Sequence, residues 1–277
     1  LNILEFTIII FAVSFLAGFL GSLTGLGGGV VIIPALTLLF GVDIHYAIGA
    51  SLISVIATSS GAAAAYVKEG FTNIRVGMFL EMATTVGALV GAAVAAILPA
   101  STIAIIFGAV LVYSALQSSR QQPERQARQP DRLATALRMN SVYPAPGGFR
   151  EYFVRHVPGG FGMMFIAGSL SGLLGIGSGA FKVLAMDQIM RIPFKVSTTT
   201  SNFMIGVTAA ASAGIYLNRG YIDPGLSMPV MLGVLVGSLL GARILIGARS
   251  ITLRRIFAVV ILVMAVEMIY NGIAGKV

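Results

Sequence analysis

The sequence predicts an all-α, polytopic membrane protein made of two inverted repeats, each a glycine-tipped re-entrant hairpin plus three transmembrane helices. Three observations predict it: long apolar runs almost free of charge, a self-match at one fixed offset, and a glycine cluster that interrupts the first run of each half. Hydrophobic residues make up 57% of the 277 and charged residues only 10%, outside the range of a water-solvated domain of this length. A β-barrel would instead show short segments of alternating polarity. The chain has no cysteine, so disulfides, thiol catalysis and cysteine-ligated metals are excluded.

Taken in order, the first apolar run covers roughly 3–20. It carries Glu5, has no Lys or Arg before it and leads into glycines rather than a cleavage site, so it reads as structure and not as a signal peptide. Next comes GSLTGLGGGVVIIP at 21–34, followed by a short return helix at about 30–40 and runs at 44–66, 76–98 and 102–118. Several of these reach the ~20 residues that a bilayer-crossing helix needs. A polar stretch rich in Arg, Gln and Pro then separates a first membrane repeat, 1–118, from a second, 159–277. Its seven arginines predict a solvated cytoplasmic linker, 119–158, facing lipid headgroups rather than nucleic acid. The second half opens with a run at 159–190, broken by GLLGIGSGAFKVL at 172–184 with a return helix at about 180–190. Runs at 196–217, 226–246 and 256–273 complete it.

The halves match without a gap when the chain is slid by 150 positions, the difference between Gly25 and Gly175. Gly18 falls on Gly168, Gly27 on Gly177, Gly29 on Gly179, Ser51 on Ser201, Thr58 on Thr208, Tyr66 on Tyr216, Gly87 on Gly237 and Gly91 on Gly241. Basic residues then decide the orientation. With four crossings per half, Lys and Arg divide 11 against 6 between the two sides. If each glycine cluster is instead the tip of a hairpin that enters and leaves on one side, three crossings per half remain and the division is 15 against 2, the two being Arg219 and Lys276. An odd number of crossings inverts the second copy. Both termini of a multi-pass protein are then expected outside, with hairpin 1 entering from outside and hairpin 2 from the cytoplasm.

Tight turns and close backbone approach at the midplane call for glycine, and non-helical backbone at that depth survives only against protein or a wet cavity. Broken helices at a repeat interface point to a transport site. Each return helix aims unpaired N–H groups and the positive end of its dipole at the membrane centre, a setting for an anion. Lys182, early in the second return helix, needs a negative partner. Asp187 is the nearby acid, so the choice lies between a bound anion and a side chain that snorkels to cytoplasmic water.

Hydroxyl donors near the tips are Thr24, Ser171 and Ser178; the following helices add Ser51, Ser54 and Thr58, and Thr199, Thr200, Ser201, Asn202 and Thr208. For a single Ser or Thr, close helix packing is the commoner role. The resulting substrate-binding set is Thr24, Gly27, Gly28, Gly29, Ser51, Gly177, Ser178, Gly179, Lys182, Ser201 and Asn202, with no catalytic residue, cofactor or metal. Glu81 and Glu267 raise proton coupling, yet their places near helix ends favour an interfacial role. His45 and His156 have no metal-ligand spacing, and Arg243 reads as an orientation anchor. GLGGG lacks both the preceding strand and the Lys-Ser/Thr pair of a nucleotide loop. The expected partners are a small anion, the bilayer, a coupling proton or ion, and a second copy in a homodimer; nucleic acid is not among them.

The segments GFLGSLTGLGGGVVIIPAL, GSLSGLLGIGSGAFKVLAM and IPFKVSTTTSNFMIGVTAAASAGIYLNRGYIDP resemble the sulfite exporter TauE/SafE family of membrane proteins, across nearly the whole chain apart from the arginine-rich linker. The resemblance implies a secondary transporter of a prokaryotic-type plasma (inner) membrane that moves sulfite, organosulfonates or related anions, often outward. It points to Gly25, Gly27, Gly28, Gly29, Pro34, Gly175, Gly177, Gly179, Lys182, Pro193, Lys195, Ser201 and Asn202. Ser178 stands where that family has a glycine and Leu184 where a proline is common, which leaves the substrate open. A passive anion channel and an uptake carrier for thiosulfate or a related anion are the alternatives. Catalysis is disfavoured because no nucleophile and base share a workable spacing.

Overall fold

Without water to satisfy backbone N–H and C=O groups, an apolar run in lipid must close its hydrogen bonds within itself, and the runs here become helices. The computed structural model describes residues 2–24, 28–68, 70–119, 129, 131–145, 148–245 and 250–275. The first half comprises α1 (Ile3–Thr24), α2 (Gly29–Pro34) continued by a π-helical turn (Ala35–Leu39), α3 (Ile44–Lys68), α4 (Ile74–Ala95) and α5 (Ala100–Ser119). After α6 (Arg132–Ala136), β1 (Ser141–Ala145) and β2 (Gly148–Tyr152) come α7 (Val157–Leu174), α8 (Gly179–Leu184) with its π-helical turn (Ala185–Ile189), α9 (Phe194–Asn218), α10 (Pro224–Leu245) and α11 (Ser250–Ile273). From Gly29 to Ala95, every element reappears end for end 150 residues later. Each return segment is one α-helical stretch and one π turn, a wider winding that occurs mostly at functional places in helices.

The outside of the bundle is as apolar as its inside. On α4 the buried face holds Gly77, Glu81, Thr84, Gly87, Ala88 and Gly91, while Met78, Met82, Val86, Leu89, Val90 and Val94 are exposed. A water-soluble helix would reverse this arrangement. Both α4 and α7 are long and apolar enough to cross a membrane. The molecule is a membrane protein.

Small residues set the packing. The first helix of each half lies against the other half, α1 on α10 and α7 on α4, while α3 packs on α9 and α5 on α11. Gly18 meets the backbone of Val234, and 150 positions on Gly168 meets that of Thr84; a methyl carbon would sit 2.7 Å from the Cα atom in both places. Gly87 and Gly237 abut the backbone at Phe165 and Phe15 in the same register. Such close approach gains dispersion contacts that lipid-facing side chains would not.

Loops gather in two separate groups. In the first, the Asn73 side chain caps α4 through Val76 N–H (3.1 Å) and donates to Met139 O (2.9 Å) and Tyr152 Oη (2.6 Å). The Asn73 backbone N–H donates to Thr200 Oγ1 at 3.0 Å, Arg75 reaches Arg138 O at 3.2 Å, and Lys195 lies 4.2 Å from the centre of the Phe71 ring. The second group holds His45, whose ring nitrogens face Asp43 Oδ1 (3.0 Å) and Ala95 O (3.2 Å) and whose ring stacks on Tyr221. There, too, Arg219 donates to Ala96 O at 3.3 Å.

The linker departs from the expected solvated loop. Its described residues include α6 and the strands β1 and β2, which pair antiparallel with Ser141 opposite Tyr152. Ala134, Met139, Tyr152 and Val154 are buried against the first loop group with Val76 and Met190. Burial pushes the Tyr152 hydroxyl up to about 12, so it stays neutral at any ordinary pH.

Candidate functional site

The site begins at the break between α7 and α8. Gly175 (φ 65°) and Gly177 (φ 69°) take the left-handed backbone that the turn needs, and so does Ser178 (φ 45°), a conformation disfavoured for a residue with a Cβ. Gly28 does not share it, at φ −67°. Gly29 serves by its small size: a methyl carbon there would lie 2.5 Å from Ser51 Oγ and 3.2 Å from Gly175 O. Ser51 itself donates to Gly175 O at 2.8 Å, so α3 and the two breaks meet at one point. Ser201, its counterpart on α9, donates to Gly179 O at 3.3 Å. Both hydroxyl protons are thus committed to holding the second break.

Past that break, α8 carries Lys182 inward. Its side chain is fully buried, which removes the snorkelling reading. The ammonium donates to Thr208 Oγ1 on α9, and Thr208 donates to Glu81 Oε1 on α4 at 2.6 Å. The second carboxylate oxygen, Oε2, stands 4.0 Å from Lys182 Nζ and has no hydrogen-bond partner among the described residues. The acid beside Lys182 is therefore Glu81, from the other half, and not Asp187, which accepts from Gln188 at 2.6 Å. Glu81 is 7% exposed, so the interfacial role expected for it is corrected as well. Both corrections have one cause: α4 of the first half packs against α7 and α9 of the second, which brings its middle to the second break.

The energetics mark this group as more than packing. Opposite unit charges 4.0 Å apart attract by about 4 kcal/mol at an effective dielectric near 20. Removing each from water costs several kcal/mol. The pair contributes little net stability, and it is incompletely bonded: an ammonium has three protons, and only the one on Thr208 has a hydrogen-bond acceptor among the described residues. Ser178 Oγ and Ser171 Oγ, both buried, also lack partners there. Each is a buried polar group with bonding capacity to spare.

Of the other expected site residues, Gly177 and Gly179 lie against Ile205 of α9, and Asn202 is half-buried on α9. The Thr24 side chain and Gly27 lie outside the described residues. Glu267 is exposed on α11, His156 precedes α7, and the Arg243 side chain is not described. No cluster of metal-ligating side chains occurs among the described residues. Sequence reasoning missed the pairing of Glu81 with Lys182. The available signal was their place in the repeat, where they fall opposite Met231 and Ile32: two lone charges of opposite sign, each breaking an otherwise apolar match.

Helices with apolar outer faces, two broken segments and a buried charged pair define a helical membrane protein. The chain belongs to the Sulfite exporter TauE/SafE family, whose family model matches residues 10–268. It is 26% identical over 276 residues to the "Probable membrane transporter protein YunE" of Bacillus subtilis (strain 168), covering 96% of this chain and 98% of that one. A second relative from the same organism, the "Probable membrane transporter protein YdhB", is 28% identical over 236 residues, 85% of this chain and 89% of its own. A "Probable membrane transporter protein" of Xylella fastidiosa (strain 9a5c) is 24% identical over 265 residues, 95% and 94% of the two chains. No solved structure matches the chain.

Proposed function

We infer that this protein is a secondary transporter that exports small sulfur-containing anions, sulfite or organosulfonates, by alternating access around a site at the two broken segments. The family and the transporter names of its relatives support the class. The observation that carries the anion is Lys182, a fully buried ammonium with bonding capacity left over. A sulfonate or sulfite oxygen is an acceptor-only, charged partner for those protons and for the hydroxyls of Ser178 and Ser171.

Inverted halves follow in this reading from the ends of the helices. Asn73, which starts α4, sits in the first loop group; Tyr221, just before the matching helix α10, sits with His45 and the far end of α4 in the second. Lys195, Arg75, Arg138 and Arg155 belong to the first group, which the positive-inside rule assigns to the cytoplasm. Each broken segment is then re-entrant, and the two halves rock about their contact at Gly29 and Gly175.

Purified protein titrated with sulfite, thiosulfate, sulfoacetate, taurine, sulfate and methanesulfonate tests the reading. At least one sulfur anion should raise the melting temperature and be carried by proteoliposomes with saturable kinetics. A protein that binds none of them in either assay would remove the proposal.

A further inference from the structure

We propose that Glu81 is both a tethered occupant of the anion site and the proton-carrying group that couples anion binding to pH. The inference rests on the anion site inferred above and assigns it a regulating partner. With no anion present, the Glu81 carboxylate lies beside Lys182, joined through Thr208 (2.6 Å) and facing Nζ at 4.0 Å. The site is then neutral, one positive and one negative charge, both buried. An arriving monovalent anion supplies a second negative charge. Two anions beside one buried ammonium leave an uncompensated charge, which is costly at that depth. Neutrality returns if Glu81 takes a proton from the solution as the anion takes Lys182: the carboxylate becomes a carboxylic acid, and the ammonium keeps its three protons.

The geometry suits that exchange. Oε1 is already held, by Thr208 at 2.6 Å and Thr85 at 3.3 Å, while buried Oε2 has no hydrogen-bond partner among the described residues and is the atom free to carry the proton. Thr208 spans the two charges, so the same hydroxyl reports the state of one to the other. Little else competes for the role. The helix α7, packed on α4, has no titratable side chain. On α9, Lys195 is engaged at the Phe71 ring in the first loop group, and the Tyr216 hydroxyl donates to the carbonyls of Gly172 and Leu173. Beyond α8, Asp187 is bonded to Gln188; on α4 itself Arg75 reaches Arg138 O. Lys182 is the charge that faces Glu81.

One proton entering with one monovalent anion makes the loaded carrier electrically neutral. An outward anion gradient can then drive export without work against or with the membrane potential.

Isothermal titration calorimetry with methanesulfonate, in buffers of differing ionisation enthalpy, tests this on the wild-type protein. Methanesulfonate stays ionised between about pH 6 and about pH 8, so any proton taken up belongs to the protein. The expected result is uptake of about one proton per anion, with affinity weakening as pH rises, about tenfold per pH unit in the linked range. Glu81→Gln, which keeps the shape and cannot ionise, should bind without proton uptake and with the same affinity at both pH values; Glu267→Gln should behave as wild type. Anion binding with no proton uptake in the wild type overturns the proposal, as does a Glu81→Gln protein that retains the pH slope. No binding at either pH, with every anion, overturns instead the anion site on which it rests.

Discussion

Two corners of the molecule share a backbone and differ in chemistry. In one, α8, α9 and α4 bring together Lys182, Thr208 and Glu81; at the matching positions in the other, α2, α3 and α10 carry Ile32, Thr58 and Met231. Ile32 is buried. Thr58 turns its hydroxyl back to Ser54 O at 3.0 Å, as Thr208 does to Met204 O at 3.1 Å, but Thr208 in addition bonds Lys182 and Glu81. The matching elements therefore give two like frames along the chain, and at these positions only one of them carries charge. The buried pair is asymmetric, with one half contributing the ammonium and the other the carboxylate.

The comparison breaks most sharply at its charged end. Replacing Lys182 by Ala should weaken binding of the preferred anion about 30-fold or more, the worth of ~2 kcal/mol of charge-assisted bonding. Ile32→Ala should leave affinity nearly unchanged and lower only thermal stability, by about 2–5 kcal/mol for the emptied volume. Equal losses of affinity from both would mean that the corners are functionally alike. Gly18→Val and Gly168→Val probe the shared frame instead. Each drives a side chain into the facing backbone and should destabilise detergent-solubilised protein by a similar amount, about 1–3 kcal/mol or more, read as a lower melting temperature. A tolerant member of that pair would show that the frame is not equivalent.

Smaller effects sharpen the contrast. Thr208→Val removes the hydroxyl between the two charges and should cost about 1–2 kcal/mol in anion binding, whereas Thr58→Val should change it by no more than a few tenths. Titration calorimetry resolves the two. Least of all, Ser178→Gly relieves a left-handed residue and should raise stability by about 1 kcal/mol, read from the melting temperature. Loss of its buried hydroxyl would show separately, as a changed order of preference among sulfite, thiosulfate and the sulfonates.

Much of this frame was legible because membrane helices are declared by composition and a gapless duplication by its offset. The end-for-end repetition of helix bounds from Gly29 to Ala95 follows that offset. The site was legible by half. Lys182 announced itself as a cation in an apolar run, but periodicity along one helix carries no information about which distant helix lies beside it, so Glu81 was assigned to a surface. The short helices after the two glycine clusters lie where the sequence places them along the chain, while their π turns left no trace in side-chain pattern. The folded linker was hidden by its Arg, Gln and Pro content. Its buried residues, Tyr143, Tyr152 and Val154, belong to a cluster shared with Val76, Met164 and Met190, partners far along the chain, and its strands are too brief for a strand signal.

The crossing of first helices over to opposite halves bears on how the protein is made. While a ribosome is still translating the linker, α1 has no α10 to lie on, and Gly18 and its neighbours must wait in lipid without their partner. Maturation is therefore a late event, reached only after nearly all of the polypeptide has been inserted. A gene cut at the linker should yield stable product only when its two fragments are synthesised in the same cell.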